Sequence, residues 1–140
     1  MGVSRLFYPN NHIEADNRLS WFLGRLDEQY GDNAFYVHLM RDKNKTAASF
    51  IKRADYGIMQ AYQKGILQDS DTLLNINDIA LDYIDTVTEN IKHFLKDKTH
   101  KINFRLETAD KDFKIFWDEI NAKGDLAKAL HEWNIAYNAS

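Results

Sequence analysis

The sequence contains no cysteine, one proline and six glycines. Without cysteine there are no disulfides, no thiolate metal sites and no cysteine nucleophile, although the compartment stays open on this ground alone. The single proline, Pro9, and the scattered glycines leave no Gly/Pro-rich linker and no low-complexity segment. No apolar run approaches the ~20 residues that span a bilayer, and Met1-Gly2-Val3-Ser4-Arg5 leads into no long apolar signal segment, so a cytoplasmic protein without a membrane partner is expected. Leu6 stands where an N-myristoylation signal carries Ser or Thr. There is no basic excess either. The net charge of −3 disfavours a general nucleic-acid binder and leaves room only for a local cationic site.

What is present is an ordinary globular composition, 44% hydrophobic and 28% charged over 140 residues, long enough to bury a real core within one domain. Val3 to Tyr8 reads as a short strand closed by Pro9 and the turn pair Asn10-Asn11. Asp16 or Asn17 caps a helix from Arg18 to Tyr30, with Leu19, Phe22, Leu23 and Leu26 on one face and Gly31 after its end. Phe35 to Met40 is apolar or aromatic at almost every position, as expected of a parallel strand covered by helices on both faces. His38, inside that strand, reads as a core or sheet-face histidine with one nitrogen satisfied.

A helix follows from Asn44 to about Arg53, then another over Tyr56 to Leu67, interrupted by Gly57 and Gly65, and then a polar loop at Asp69-Ser70-Asp71-Thr72. The longest helical pattern starts at Asn75 or Asn77 and runs to about Leu95, with Ile76, Ile79, Ala80, Tyr83, Ile84, Val87, Ile91 and Phe94 at helical spacing. Lys101 to Leu106 alternates like a strand near a sheet edge, Thr108 caps a helix from Ala109 to Asn121, and Gly124-Asp125 precedes a last helix over Leu126 to Trp133. Strands separated by helices give the α/β class, with a small, largely parallel sheet flanked by helices.

The densest chemical signal is Phe35-Tyr36-Val37-His38-Leu39-Met40-Arg41-Asp42 followed by Lys43-Asn44-Lys45-Thr46-Ala47-Ala48-Ser49-Phe50. A strand ends in Arg41, and a helical hydroxyl, Ser49, follows eight positions later. In an open α/β sheet ligands sit at the carboxyl ends of the strands, so this pair suits one phosphate, the guanidinium binding it bidentately. The plainer alternative is an Arg paired with Asp42 and a Ser tolerated on a helix. Lys52 and Arg53, one turn on, either add positive potential to that site or complement the helix dipole. His12 and Glu14 are the titratable pair in the loop before the first helix, and either suits a general base. Both also read as solvated loop residues.

The Arg41-to-Ser49 segment resembles the part of the sulfotransferase family that holds the 3'-phosphate of 3'-phosphoadenosine 5'-phosphosulfate. The likeness extends upstream to His12-Ile13-Glu14-Ala15-Asp16-Asn17-Arg18-Leu19-Ser20 and downstream to Phe94-Leu95, Arg105-Leu106-Glu107 and Phe116-Trp117. It implies the carboxyl-terminal part of a P-loop-like sulfotransferase fold, with 3'-phosphoadenosine 5'-phosphosulfate as donor cosubstrate, no metal, and a small-molecule or carbohydrate acceptor offering a hydroxyl or amine. Arg41 and Ser49 would hold the 3'-phosphate, with Lys52 and Arg53 behind them, and His12 or Glu14 would take the acceptor proton. The family's Gly-rich or Ser/Thr-rich loop for the 5'-phosphosulfate has no counterpart here, which implies a domain incomplete at its amino end and little or no turnover by this chain alone. A noncatalytic nucleotide-binding or interaction module is the alternative, with a second copy or another chain covering the sheet edge.

Overall fold

The structure, a computed structural model, describes residues 3–68 and 74–135; the expected loop Asp69–Thr72 lies outside them. The chain opens with a 3-10 turn, Val3–Leu6, not with the expected Val3 to Tyr8 strand. Tertiary contacts explain the difference. Leu6 is buried and its carbonyl accepts from the Tyr30 hydroxyl at 2.6 Å, while the Tyr8 N–H donates to that same hydroxyl at 2.8 Å. Tyr30 thus meets backbone groups that a neighbouring strand would otherwise pair.

The expected helix from Arg18 to Tyr30 is divided. Asp16 caps a 3-10 segment, Asn17–Trp21, by accepting from the Arg18 N–H, and Phe22 at φ −119°, ψ 22° leaves helical geometry before α1, Leu23–Tyr30. Gly31 at φ 51° ends α1 and turns the chain toward β1, Tyr36–Met40. Asp42 then caps α2, Lys43–Ile51, by accepting from the Lys45 N–H at 2.8 Å. A short α3, Gly57–Ala61, runs on into a π turn, Tyr62–Ile66, so the expected Tyr56 to Leu67 helix holds a change of pitch at the Gly65 end. Asn75 caps the long α4, Ile76–Leu95, through the Asn77 N–H.

Lys101–Arg105 forms β2, which pairs parallel with β1 in the register Tyr36 to Lys101 through Met40 to Arg105. The connection between these parallel strands is a long crossover that carries α2, α3, the π turn and α4, as parallel pairing needs. A 3-10 turn, Leu106–Thr108, leads into α5, Ala109–Glu119, and Asp125 caps α6, Leu126–Glu132. Thr108 occupies the cap position of α5 without a side-chain cap bond; its hydroxyl donates instead to Asp112, which also accepts from the Arg105 N–H.

The main core lies among helices. Ala47 of α2, Met59 of α3, Tyr62 of the π turn and Ile79, Ala80 and Tyr83 of α4 form one buried cluster, with Phe50 and Tyr62 each meeting Tyr83 edge-on. The sheet is less well covered than its sequence suggests. Strand alternation puts Val37, Leu39, Ile102 and Phe104 on one face, where Trp133 packs on Phe104, and puts Tyr36 and His38 on the other, where Phe94 of α4 meets Tyr36. Phe104 is buried, but Val37 is 39% and Leu39 57% exposed, so the cover expected on both faces of Phe35 to Met40 is absent from the Val37 and Leu39 face of β1. No helix among the described residues is long and apolar enough to cross a membrane.

Candidate functional site

Arg41 is the first residue beyond β1 and stands at the carboxyl edge of the parallel pair. Its side chain is exposed and makes no hydrogen bond or ion pair with any described residue. The alternative of an Arg41 to Asp42 pair is therefore not realised. Asp42 instead caps α2 with its carboxylate, and its own N–H donates to Glu107 Oε1 at 2.7 Å. That bond, made first by the Asp42 N–H, holds the Glu107 carboxyl below the usual carboxylate range. Two carboxylates therefore serve the backbone at this edge while the neighbouring guanidinium is left to solvent.

Ser49 is partly buried on the second turn of α2, and its Oγ accepts from Arg53 Nη2 at 2.8 Å. The structure thus joins two of the sequence candidates, Ser49 and Arg53. A hydroxyl that accepts still has its own proton to donate, so this pairing keeps Ser49 competent toward an anion. Lys52 is exposed at the carboxyl end of α2.

His12 and Glu14 also meet, Nε2 to Oε2 at 2.9 Å, each about one-third exposed. The His12 ring lies flat on Tyr8, 5.1 Å between centroids, and Tyr8 in turn lies on Tyr30. Burial, and then the negative charge of Glu14, push the Tyr8 hydroxyl pKa up. Below them Asp16 accepts from Arg18 and from Arg5, the latter at 2.7 Å, and Arg5 also lies over the Phe22 ring. These bonds, led by that of Arg18, hold the Asp16 carboxyl well below its usual range. Asp16 and Arg18 are thus committed to structure.

His12 and Glu14 are attached through Tyr8 to Tyr30 at the end of α1, whereas Arg41, Ser49 and Arg53 belong to the end of β1 and to α2. Among the described residues no hydrogen bond, ion pair or ring contact joins the two groups. Sequence reasoning does not single out Tyr8, and Glu107 enters it only through the resembled Arg105-Leu106-Glu107 segment. The only local sign of Tyr8's role is an aromatic four residues before His12. Glu107's role depends on a contact 65 positions away in the chain. No group of three or more His, Cys, Asp or Glu among the described residues is arranged to hold a metal ion. No family model, curated protein or solved structure matches the chain.

Proposed function

We propose that this chain is a sulfotransferase-like protein whose Arg41 edge takes the 3'-phosphate of 3'-phosphoadenosine 5'-phosphosulfate. The observation that carries the reading is the exposed guanidinium of Arg41, without a partner among the described residues, at the carboxyl end of a parallel strand, beside acids that are already engaged. A cation there meets an anionic ligand at the sheet edge where α/β folds place them, and Arg presents two parallel donors to one phosphate. Ser49 contributes its hydroxyl proton, and Arg53, bonded to Ser49, adds a second positive charge. Lys52 supplies further positive potential at the carboxyl end of α2.

In the transfer itself the acceptor hydroxyl or amine gives its proton to His12, oriented by Glu14. The freed lone pair attacks sulfur, and the bond from sulfur to the bridging oxygen breaks, leaving adenosine 3',5'-bisphosphate. Negative charge develops on that bridging oxygen and needs a positive group opposite it. No residue of this chain is assigned that duty, so binding is expected to be strong relative to turnover. Calorimetry with adenosine 3',5'-bisphosphate and adenosine 5'-monophosphate tests the reading: the bisphosphate binds and the monophosphate binds at least tenfold more weakly, as loss of a ~1.5–3 kcal/mol charged contact requires. Equal affinity for the two nucleotides would refute it.

A second reading, an interaction module, has its own observation. Tyr36 donates its N–H to the His100 carbonyl, so along β1 the backbone groups of Val37 and Leu39 point away from β2, and both side chains are exposed apolar groups. No charge or proline blunts this edge. A second copy, pairing β1 to β1 antiparallel about a two-fold axis, would extend the sheet to four strands. Sedimentation velocity should show a dimer that Leu39→Lys dissociates; a monomer at every concentration refutes this reading and leaves the nucleotide reading standing.

A further inference from the structure

His38 is the buried polar side chain of the sheet, 7% exposed, on the face that looks toward α4. It borders a cleft of about 280 Å³ whose other walls include Lys92 of α4, Lys96 just beyond its end, and Lys101 and Asn103 of β2. Contrary to the sequence expectation of one satisfied nitrogen, neither ring nitrogen hydrogen-bonds to a described residue. No fully buried side-chain nitrogen or oxygen among the described residues is unpaired, so those ring nitrogens reach solvent, and the cleft is where they do so.

The charges around the ring are mostly of one sign. The Lys96 ammonium makes no hydrogen bond or ion pair with a described residue. Lys92 is paired with Glu89 at 2.7 Å, but both are more than half exposed, and such pairs hold weakly. Lys101 donates to the carbonyls of Leu95 and Lys96, so the negative end of α4 is already answered from within the protein. Arg105 follows on the same face of β2. Glu89 beside Lys92 and Asp112 beside Arg105 are the acidic groups in this set.

We propose that the cleft binds a small tetrahedral oxyanion of the sulfate or phosphate class, held by Lys96 and the His38 ring, with Lys92 and Asn103 completing the donors. It is separate from the Arg41 edge: Arg41 leaves the carboxyl end of β1, whereas this cleft lies along the carboxyl-terminal turns of α4, whose Phe94 packs on Tyr36 at the strand's other end. Two positive ammonium groups and a ring that becomes a double donor on protonation suit a doubly charged anion. Burial first, and then the charges of Lys92 and Arg105, hold the imidazole below its ordinary pKa. The bound anion opposes both charges, so binding strengthens as pH falls through the histidine range.

Sulfate is the suitable probe because its charge is constant over that range. Side-chain NMR of the full chain should show the His38 titration midpoint rising in sodium sulfate relative to sodium chloride at equal ionic strength; a tenfold preference of sulfate for the charged ring corresponds to about one pH unit at saturation. Lys96→Ala should weaken sulfate binding about tenfold, and Lys92→Ala should weaken it less because Lys92 is shared with Glu89. Both positions are exposed, Lys92 on α4 and Lys96 just beyond it, which keeps the fold intact for the comparison. An identical His38 midpoint in the two salts, or unchanged sulfate affinity in Lys96→Ala, would overturn the proposal.

Discussion

Replacing Ile79 by alanine tests where the stability of this fold is concentrated. Ile79 has no exposed surface and sits in the cluster of Ala47, Met59, Tyr62, Ala80 and Tyr83 that joins α2 and α3 to α4. The substitution removes three buried carbons, about 2.4 kcal/mol at ~0.8 kcal/mol each. A residual cavity adds to this, within the ~2–5 kcal/mol seen for such changes, so about 3 kcal/mol is expected. An unfolding entropy of about 2.1 cal/mol/K per residue gives roughly 0.3 kcal/mol/K for the chain, and hence a midpoint lower by about 10 °C. Ile115, 51% exposed on α5, supplies the control; Ile115→Ala should cost within about 0.5 kcal/mol. Thermal melts followed by far-UV circular dichroism separate the two. If Ile115→Ala is as damaging as Ile79→Ala, the helical cluster is not the principal core.

The Tyr62 hydroxyl donates to Asp82 Oδ2 at 2.5 Å and lies 3.3 Å from Thr86 Oγ1. Tyr62→Phe removes the hydroxyl donor to this exposed carboxylate and should lower stability by about 0.5–1.5 kcal/mol, seen as a lower urea midpoint at unchanged slope. The pH dependence of stability follows from groups held below their ordinary pKa. His38 is kept neutral by burial and nearby cations, while Asp16, Asp32, Glu107 and Asp112 are kept ionised by hydrogen bonds. In each case the unfolded chain binds the proton more readily, so the contribution is present above the unfolded pKa and lost as pH falls toward the folded one. Melting temperature should therefore begin to drop below about pH 6.5 through His38 and drop faster below about pH 4 through the carboxylates. Asp16→Asn should reduce the acid-side loss, and a melting temperature that rises on acidification would contradict these assignments.

Elements whose signals are local were legible in the sequence. Asn75 with its apolar period marked α4 to within a residue, Asp125 marked the start of α6, and the β-rich runs before Arg41 and after His100 marked both strands. The errors fall where a distant partner decides. Val3 to Tyr8 has strand-like residues, but the Tyr30 hydroxyl takes up its backbone groups and holds it as a turn. The Arg18 to Tyr30 face is periodic through Phe22, yet the ring of Phe22 is held under Arg5 at the point where the helix breaks. Val37 and Leu39 look like doubly covered residues because a sequence states their apolarity and not the width of the sheet above them. At the site, the Ser49 to Arg53 contact lies at helical i to i+4 spacing and was within reach of sequence reasoning. The Asp42 to Glu107 bond, which frees Arg41 of its neighbour, was not.

The claim that Arg41 is the phosphate-holding residue is tested most directly by titrating adenosine 3',5'-bisphosphate into the wild-type chain and Arg41→Ala side by side in a calorimeter. Arg41 has no structural partner among the described residues, so the variant should melt at the wild-type temperature. Its affinity should nevertheless fall by about 1.5–3 kcal/mol, roughly 10- to 150-fold. Identical affinity in the two proteins, or no heat of binding from the folded wild-type chain at millimolar nucleotide, would contradict the account.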